Sequence, residues 1–310
     1  MQTRRIGPLE VSLVGLGCNN FGTRIDAERA TQVTLAALDA GITLFDTADV
    51  YGAGRSEELL GAALAGRRDE ALVASKFGWE LDEERRGAHP DYVRSACEAS
   101  LRRLGVDHID LYQLHTPDPT VPVAETLGAL GELVEAGKVR AIGHSNLGAA
   151  EMDEAEATAR SLGGPRFVSA QERWNLLERA FEDDKLAAVE RHGLAVLPFY
   201  PLASGLLTGK YRPGDDPDPS WRIATFPAER RGRELTDERL AVVEGLRAFA
   251  EVRGRSLLEL ACSWLASQPV VASVIAGATR PEQVAANVEA AGWRLTDDEL
   301  AEVDRVTARA

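Results

Sequence analysis

The chain alternates short runs of Val, Ile, Leu and Ala with longer stretches whose apolar residues recur at helical spacing, the pattern of strands separated by helices. Eight apolar runs stand out: VGLGCN near 14–19, ITLFDTA near 42–48, ALVASKF at 71–77, HIDLYQLH at 108–115, VRAIGHS at 139–145, FVSAQ at 167–171, LAVLPFY at 194–200 and ASVIAGA at 272–278. Near-continuous apolarity suits parallel strands covered on both faces. Eight of them predict a closed (β/α)8 TIM barrel, since closure explains the count and leaves no edge. Upstream, TRRIGPLEVSLVG reads as an N-terminal β-hairpin around Gly7-Pro8. Asp26 is placed to cap a helix through Ala40 that Gly41 ends, and Pro90-Asp91 opens another that runs toward Leu104 and stops at Gly105. Two segments read as long loops, WELDEERRGAHP after the third run and TGKYRPGDDPDPSWRIATFPAERRGRE after the seventh. Both would overhang the rim at the carboxyl ends of the strands, where barrels gather function.

Four polar residues end, or closely follow, an apolar run: Asp46 and Tyr51 in LFDTADVYGAGRSEELLG, Lys76 in LVASKFG and His115 in IDLYQLH. In a parallel barrel all four emerge at one rim and form a proton-transfer group. The phenol of Tyr51, with an ordinary pKa near 10, would be lowered by the Lys76 ammonium. Asp46 would hold Lys76 charged, and His115 would orient a carbonyl oxygen or relay the proton. The group suits reduction of a C=O bond.

Composition narrows the picture. A 310-residue chain with 45% hydrophobic residues is long enough for one large core, so residues 1–310 are expected to form a single domain. A net charge of −14 with no long basic run argues against nucleic-acid binding. Cys18, Cys97 and Cys262 are far apart and odd in number, which fits a reducing cytoplasm better than a disulfide framework or a zinc site. No signal peptide and no membrane span is expected. No metal is expected either: His89, His144 and His192 lack partners at ligand spacing and read as loop or surface residues, and Asp215, Asp216 and Asp218 read as a solvated loop. Gly15, Gly17 and Gly22 fail the dinucleotide fingerprint, because the third glycine comes two positions late and Asp46 is too distant, so they read as sites of close packing.

The DTADVYGAGRSEELLG segment, the Lys76 and His115 strands and GHSN at 143–146 together resemble the aldo-keto reductases over nearly the whole chain. The resemblance implies that Asp46, Tyr51, Lys76 and His115 are the catalytic tetrad, that the hairpin plugs the barrel floor, and that the hydride donor is NADPH (NADP) rather than NADH (NAD). It implies that Ser145, Asn146 and Gln171 bind the nicotinamide carboxamide, with the ring of Phe199, or alternatively Tyr200, beneath it. Leu202, Ser204, Gly205, Leu207 and Lys210 resemble the segment that wraps the pyrophosphate. Gly277, Thr279, Arg280, Gln283 and Asn287 resemble the site of the adenosine 2′-phosphate and adenine, although Gly277-Ala278 stands where some members carry Lys-Ser. Asn20, Phe21, Trp79, His115 and Trp221 are expected to wall a substrate pocket for small or medium aldehydes, sugars included, and the chain is expected to lack the long C-terminal segment of steroid-selective relatives. The expected function is an NADPH-dependent oxidoreductase reducing aldehyde or ketone carbonyls to alcohols, acting as a monomer or weak homo-oligomer with small carbonyl substrates as its partners. The alternatives are a slow-turnover, cofactor-binding regulatory subunit of channel-associated type and an aldolase-type barrel using Lys76 as a Schiff base.

Overall fold

The computed structural model describes residues 1–212, 218–219 and 221–308. Asp215 and Asp216 lie outside the described residues.

A two-stranded antiparallel hairpin opens the chain, β1 (Thr3–Ile6) and β2 (Leu9–Ser12), turned at Gly7 with φ +52°. Eight parallel strands follow: β3 (Val14–Gly17), β4 (Leu44–Asp46), β5 (Leu72–Phe77), β6 (Ile109–Leu114), β7 (Val139–Ser145), β8 (Phe167–Arg173), β9 (Ala195–Phe199) and β10 (Val274–Gly277). They pair in chain order, and β10 returns to β3. The ring closes where the Val196 amide donates to Val270 O at 2.7 Å and the Ala272 amide to Val196 O at 2.9 Å. The eight apolar runs are the eight strands of a (β/α)8 barrel. Gly15 is needed where β3 meets β10, since a Cβ there would come within 2.8 Å of Ile275 and 2.9 Å of Ser273.

Helices α1 (Ala27–Asp39), α2 (Arg55–Leu64), α3 (Pro90–Leu104), α4 (Val123–Glu135), α5 (Ala149–Leu162) and α6 (Lys185–His192) fill the crossovers. Beyond β9 come α7 (Ala228–Glu234), α8 (Asp237–Glu251), α9 (Leu257–Ser267), α10 (Pro281–Ala290) and α11 (Asp297–Thr307). Asp26 caps α1 by accepting from the Arg29 amide at 2.9 Å, and Gly105, left-handed, ends α3. The expected loop after β9 is corrected in part: its end folds as α7, started by Pro227 at the cap position.

Apolar burial falls into two clusters, a large one between strands and helices and a small one inside the barrel. In the small one, Ile6, Leu9 and Val11 of the hairpin pack on Leu44, Ala74, Leu111, Ala141 and Leu197. The hairpin therefore closes the floor, leaving the opposite rim open.

Candidate active site

At the open rim lies a cleft of about 1220 Å³, and Asp46, Tyr51 and His115 line it. Lys76 is fully buried behind them. Its Nζ donates to Asp46 Oδ2 and to Thr47 O, both at 2.8 Å, and reaches Tyr51 Oη at 3.5 Å. Asp46 Oδ1 accepts from Gln171 Nε2 at 2.8 Å. Tyr51 stands on a tight turn after β4, edge-on to His115 with ring centroids 5.8 Å apart, and Trp79 meets His115 at 5.1 Å. The four sequence-predicted residues thus converge.

Their electrostatics differ from expectation in one respect. Burial raises the Tyr51 pKa above its ordinary value of 10, and Lys76 opposes this without overcoming it. Burial therefore favours the neutral phenol at Tyr51. Lys76 has its pKa raised: burial alone would lower it, but Asp46 and Tyr51 together prevail. His115 is lowered to about 2 by burial and by the Lys76 charge, so its imidazole is neutral and cannot supply a proton as a cation. Its Nδ1 is buried without a hydrogen-bond partner among the described residues.

Along the rim, Ser145 and Asn146 follow β7. Ser145 Oγ donates to Gln171 O at 2.7 Å, while Asn146 Nδ2 donates to Ser145 Oγ at 2.9 Å and to His115 O at 3.0 Å. The donors of the Asn146 amide are thereby engaged, and its Oδ1 is left as an acceptor. Phe199, Tyr200, Leu202, Ser204, Gly205 and Lys210 line the same cleft, as do Gly277, Thr279, Arg280, Gln283 and Asn287. Among the described residues, Ser204 Oγ is buried without a hydrogen-bond partner. Gln283 Oε1 accepts from the Thr279 amide at 2.7 Å, tying the strand end to the first turns of α10. Asn20, Trp79 and Trp221 also line the cleft.

Three expectations are corrected. Phe21 and Leu207 are fully buried in the core and do not face the cleft, and His144 is not a surface residue but a fully buried one in β7, edge-on to Phe167. The last follows from strand alternation, because Ser145 faces the cleft and its predecessor must face the helices. His89 is exposed, whereas His192 ends α6, pairs with Asp153 and keeps only 11% of its side chain exposed.

Arg24 and Arg222 also line the cleft, and sequence reasoning missed both. With Lys210 and Arg280 they form a cationic cluster in an acidic chain: Lys210 is lowered by burial and then by Arg24 and Arg280, and Arg24 by burial and then by Arg222. Among the described residues Arg222 Nε is buried without a partner, and the guanidinium lies over the Tyr200 ring, 5.3 Å from its centroid. No motif marks these arginines, since only closure of the barrel brings them together. Among the described residues no cluster of His, Cys, Asp and Glu could hold a metal, and no helix is long and apolar enough to cross a membrane.

Residues 13–308 match the Aldo/keto reductase family. The chain is 35% identical over 315 residues to aldo-keto reductase YhdN of Bacillus subtilis (strain 168), spanning 96% of this chain and 90% of that protein. It is also 35% identical over 298 residues to a probable voltage-gated potassium channel subunit beta of Oryza sativa subsp. japonica, spanning 94% and 91%. Among solved structures, the glycerol dehydrogenase of Gluconobacter oxydans matches with a TM-score of 0.85 at 35% identity, across 99% of this chain and 95% of that one. The chain belongs to the aldo/keto reductase family. It is an oxidoreductase of the class that acts on small carbonyl compounds with a nicotinamide cofactor.

Proposed function

We propose that the protein reduces aldehyde or ketone carbonyls to alcohols with NADPH, with Tyr51 as the general acid. The observation that carries this is the Tyr51 phenol, which faces the cleft, is kept neutral by burial and is backed within 3.5 Å by a lysine paired with a buried carboxylate. When bound, the nicotinamide would supply the hydride. Tyr51 would give its proton to the carbonyl oxygen, and the phenolate left behind would be stabilised by Lys76, whose charge Asp46 balances. Neutral His115, steadied through its backbone carbonyl by Asn146, would orient the carbonyl oxygen.

The residues present fit the cofactor. A phosphate-bearing ligand answers the crowded cations Arg24, Lys210, Arg222 and Arg280 and the orphaned Ser204 hydroxyl. Ser145, Asn146 and Gln171 would take the carboxamide, Phe199 or Tyr200 the ring, Leu202, Ser204, Gly205 and Lys210 the pyrophosphate, and Gly277, Thr279, Arg280, Gln283 and Asn287 the adenosine end. Arg280 caps α10 only through its backbone and makes no side-chain cap bond, which leaves the guanidinium for the 2′-phosphate. Arg280→Ala is therefore expected to weaken NADPH by about 10- to 150-fold, the worth of charged hydrogen bonds, and to leave NADH almost untouched. Titrating both dinucleotides checks this, and equal weakening of the two would remove Arg280 from phosphate recognition.

A second reading has one observation in its favour, the likeness to a plant protein described as a probable channel subunit. A slow-turnover regulatory role would show as tight NADPH binding with negligible steady-state oxidation of NADPH across a panel of small aldehydes, whereas the first reading requires turnover.

A further inference from the structure

Just behind the rim, on the helix side of the barrel wall, lies an ion pair that no step above uses. Gln171 faces the cleft, so its successor in β8, Glu172, faces outward, where it is only 3% exposed. Glu172 Oε1 accepts from the Asn146 amide at 3.1 Å, and Oε2 accepts from Nζ of Lys185, the first residue of α6, at 3.0 Å. Burial pushes the Glu172 carboxyl above its ordinary value and Lys185 works against that.

The amide that Glu172 holds belongs to a strained residue. Asn146 sits at φ 66°, the left-handed region that residues with a side chain rarely occupy. From that corner its Nδ2 reaches both Ser145 Oγ and the backbone carbonyl of His115. If the corner relaxed to an extended conformation, the Asn146 side chain would leave Ser145 and His115 together.

We propose that Glu172 is a positioning residue: held in place by Lys185, its carboxylate locks the Ser145–Asn146 corner in the shape that receives the nicotinamide carboxamide. This rests on the reading of Ser145 and Asn146 as the carboxamide site. The chemistry calls for a carboxylate specifically. Two donors, an amide N–H and an ammonium, face the group, and a carboxylate accepts from both, whereas the amide of a glutamine sets its own NH2 against one of them.

The test separates the two ends of the cofactor. Wild type and Glu172→Gln are titrated calorimetrically with NADPH and with adenosine 2′,5′-bisphosphate, which carries the 2′-phosphate and lacks nicotinamide. Glu172→Gln is expected to raise the Kd of NADPH about 10-fold, the size of one charge-assisted hydrogen bond, and to leave that of the bisphosphate unchanged. Adding Lys185→Met to Glu172→Gln removes the donor that opposes the amide and is expected to recover most of the loss. An unchanged NADPH Kd in Glu172→Gln, or equal weakening of both ligands, overturns the positioning role. Asn146→Ala serves as the reference. If it weakens NADPH while Glu172→Gln does not, only the positioning role fails, and if it too leaves NADPH unchanged, the carboxamide reading fails and takes the proposal with it.

Discussion

The barrel holds a buried carboxylate with cationic partners at each end, and the two differ in how completely they are closed. At the floor, Asp110 is 1% exposed. Its Oδ2 accepts from Arg68 at 2.8 Å and from the Val73 amide at 2.9 Å, and its Oδ1 accepts from Arg140 at 2.6 Å. At the rim, Lys76 has short bonds to Asp46 and Thr47, its third direction meets the Tyr51 hydroxyl at 3.5 Å, and among the described residues a ring nitrogen of His115 beside it has no partner. The chemistry is similar and the outcome differs. A network whose acceptors are all engaged ties strands together, whereas one that stops short beside a cavity is completed by whatever enters.

The contrast is broken most strongly by removing one partner at each end. Lys76→Met takes away the cation that the phenolate of Tyr51 would need and is expected to lower kcat at least about 100-fold. Asp110→Asn is expected to leave the kcat of the folded protein unchanged and to lower its unfolding free energy by about 1–3 kcal/mol, the penalty for weakened buried hydrogen bonds. Steady-state kinetics beside urea unfolding checks the pair. A kcat loss of similar size at both ends would show that the floor network is no more structural than the rim.

A smaller effect sharpens the comparison within the rim itself. Asp49, 2% exposed, accepts from the Tyr92 hydroxyl at 3.2 Å through Oδ2, while its Oδ1 has no partner among the described residues. Burial, and then the charge of Glu57, pushes its pKa up to about 7. The folded state therefore holds this proton more tightly than the unfolded chain does, so the associated stability is full below about pH 4 and is lost as pH rises through about 7. His115 works in the opposite sense: its folded value of about 2 makes stability fall as pH drops below about 6.5. Asp49→Asn mimics the protonated acid and keeps His115, so it removes the loss of stability on raising pH and leaves the gain, and the change in Tm from about pH 5.5 to about pH 8.5 should be more positive than in the wild type. Equal differences would mean that Asp49 does not titrate in this range.

Much of this was legible in the sequence because strand ends are legible. An apolar run that stops at Asp46, Lys76 or His115 states both where a strand ends and what it presents there, and closure of eight parallel strands puts every end at one rim. Facing was harder to read. Phe21 and Leu207 carry no periodic signal in their irregular segments, whereas His144 and Glu172 could have been placed by alternation from Ser145 and Gln171. Arg24 and Arg222 were missed because nothing local distinguishes them from the many surface arginines, and their proximity exists only in the folded barrel. The short helix α7 announced itself with Pro227 followed by Ala-Glu-Arg-Arg, a start signal hidden in a Pro- and Gly-rich context. The direction of the Tyr51 shift could not be read at all, since it depends on how far burial outweighs a cation at 3.5 Å.

The central claim is that Tyr51 supplies the proton while the rest of the rim binds and orients, and the most direct measurement is Tyr51→Phe followed by both kcat for aldehyde reduction and the Kd of NADPH. The account predicts a kcat lower by about 10²- to 10⁴-fold, the usual worth of a positioned general acid, with cofactor affinity nearly unchanged. A phenylalanine variant that binds NADPH normally and keeps more than half of the wild-type kcat would contradict it.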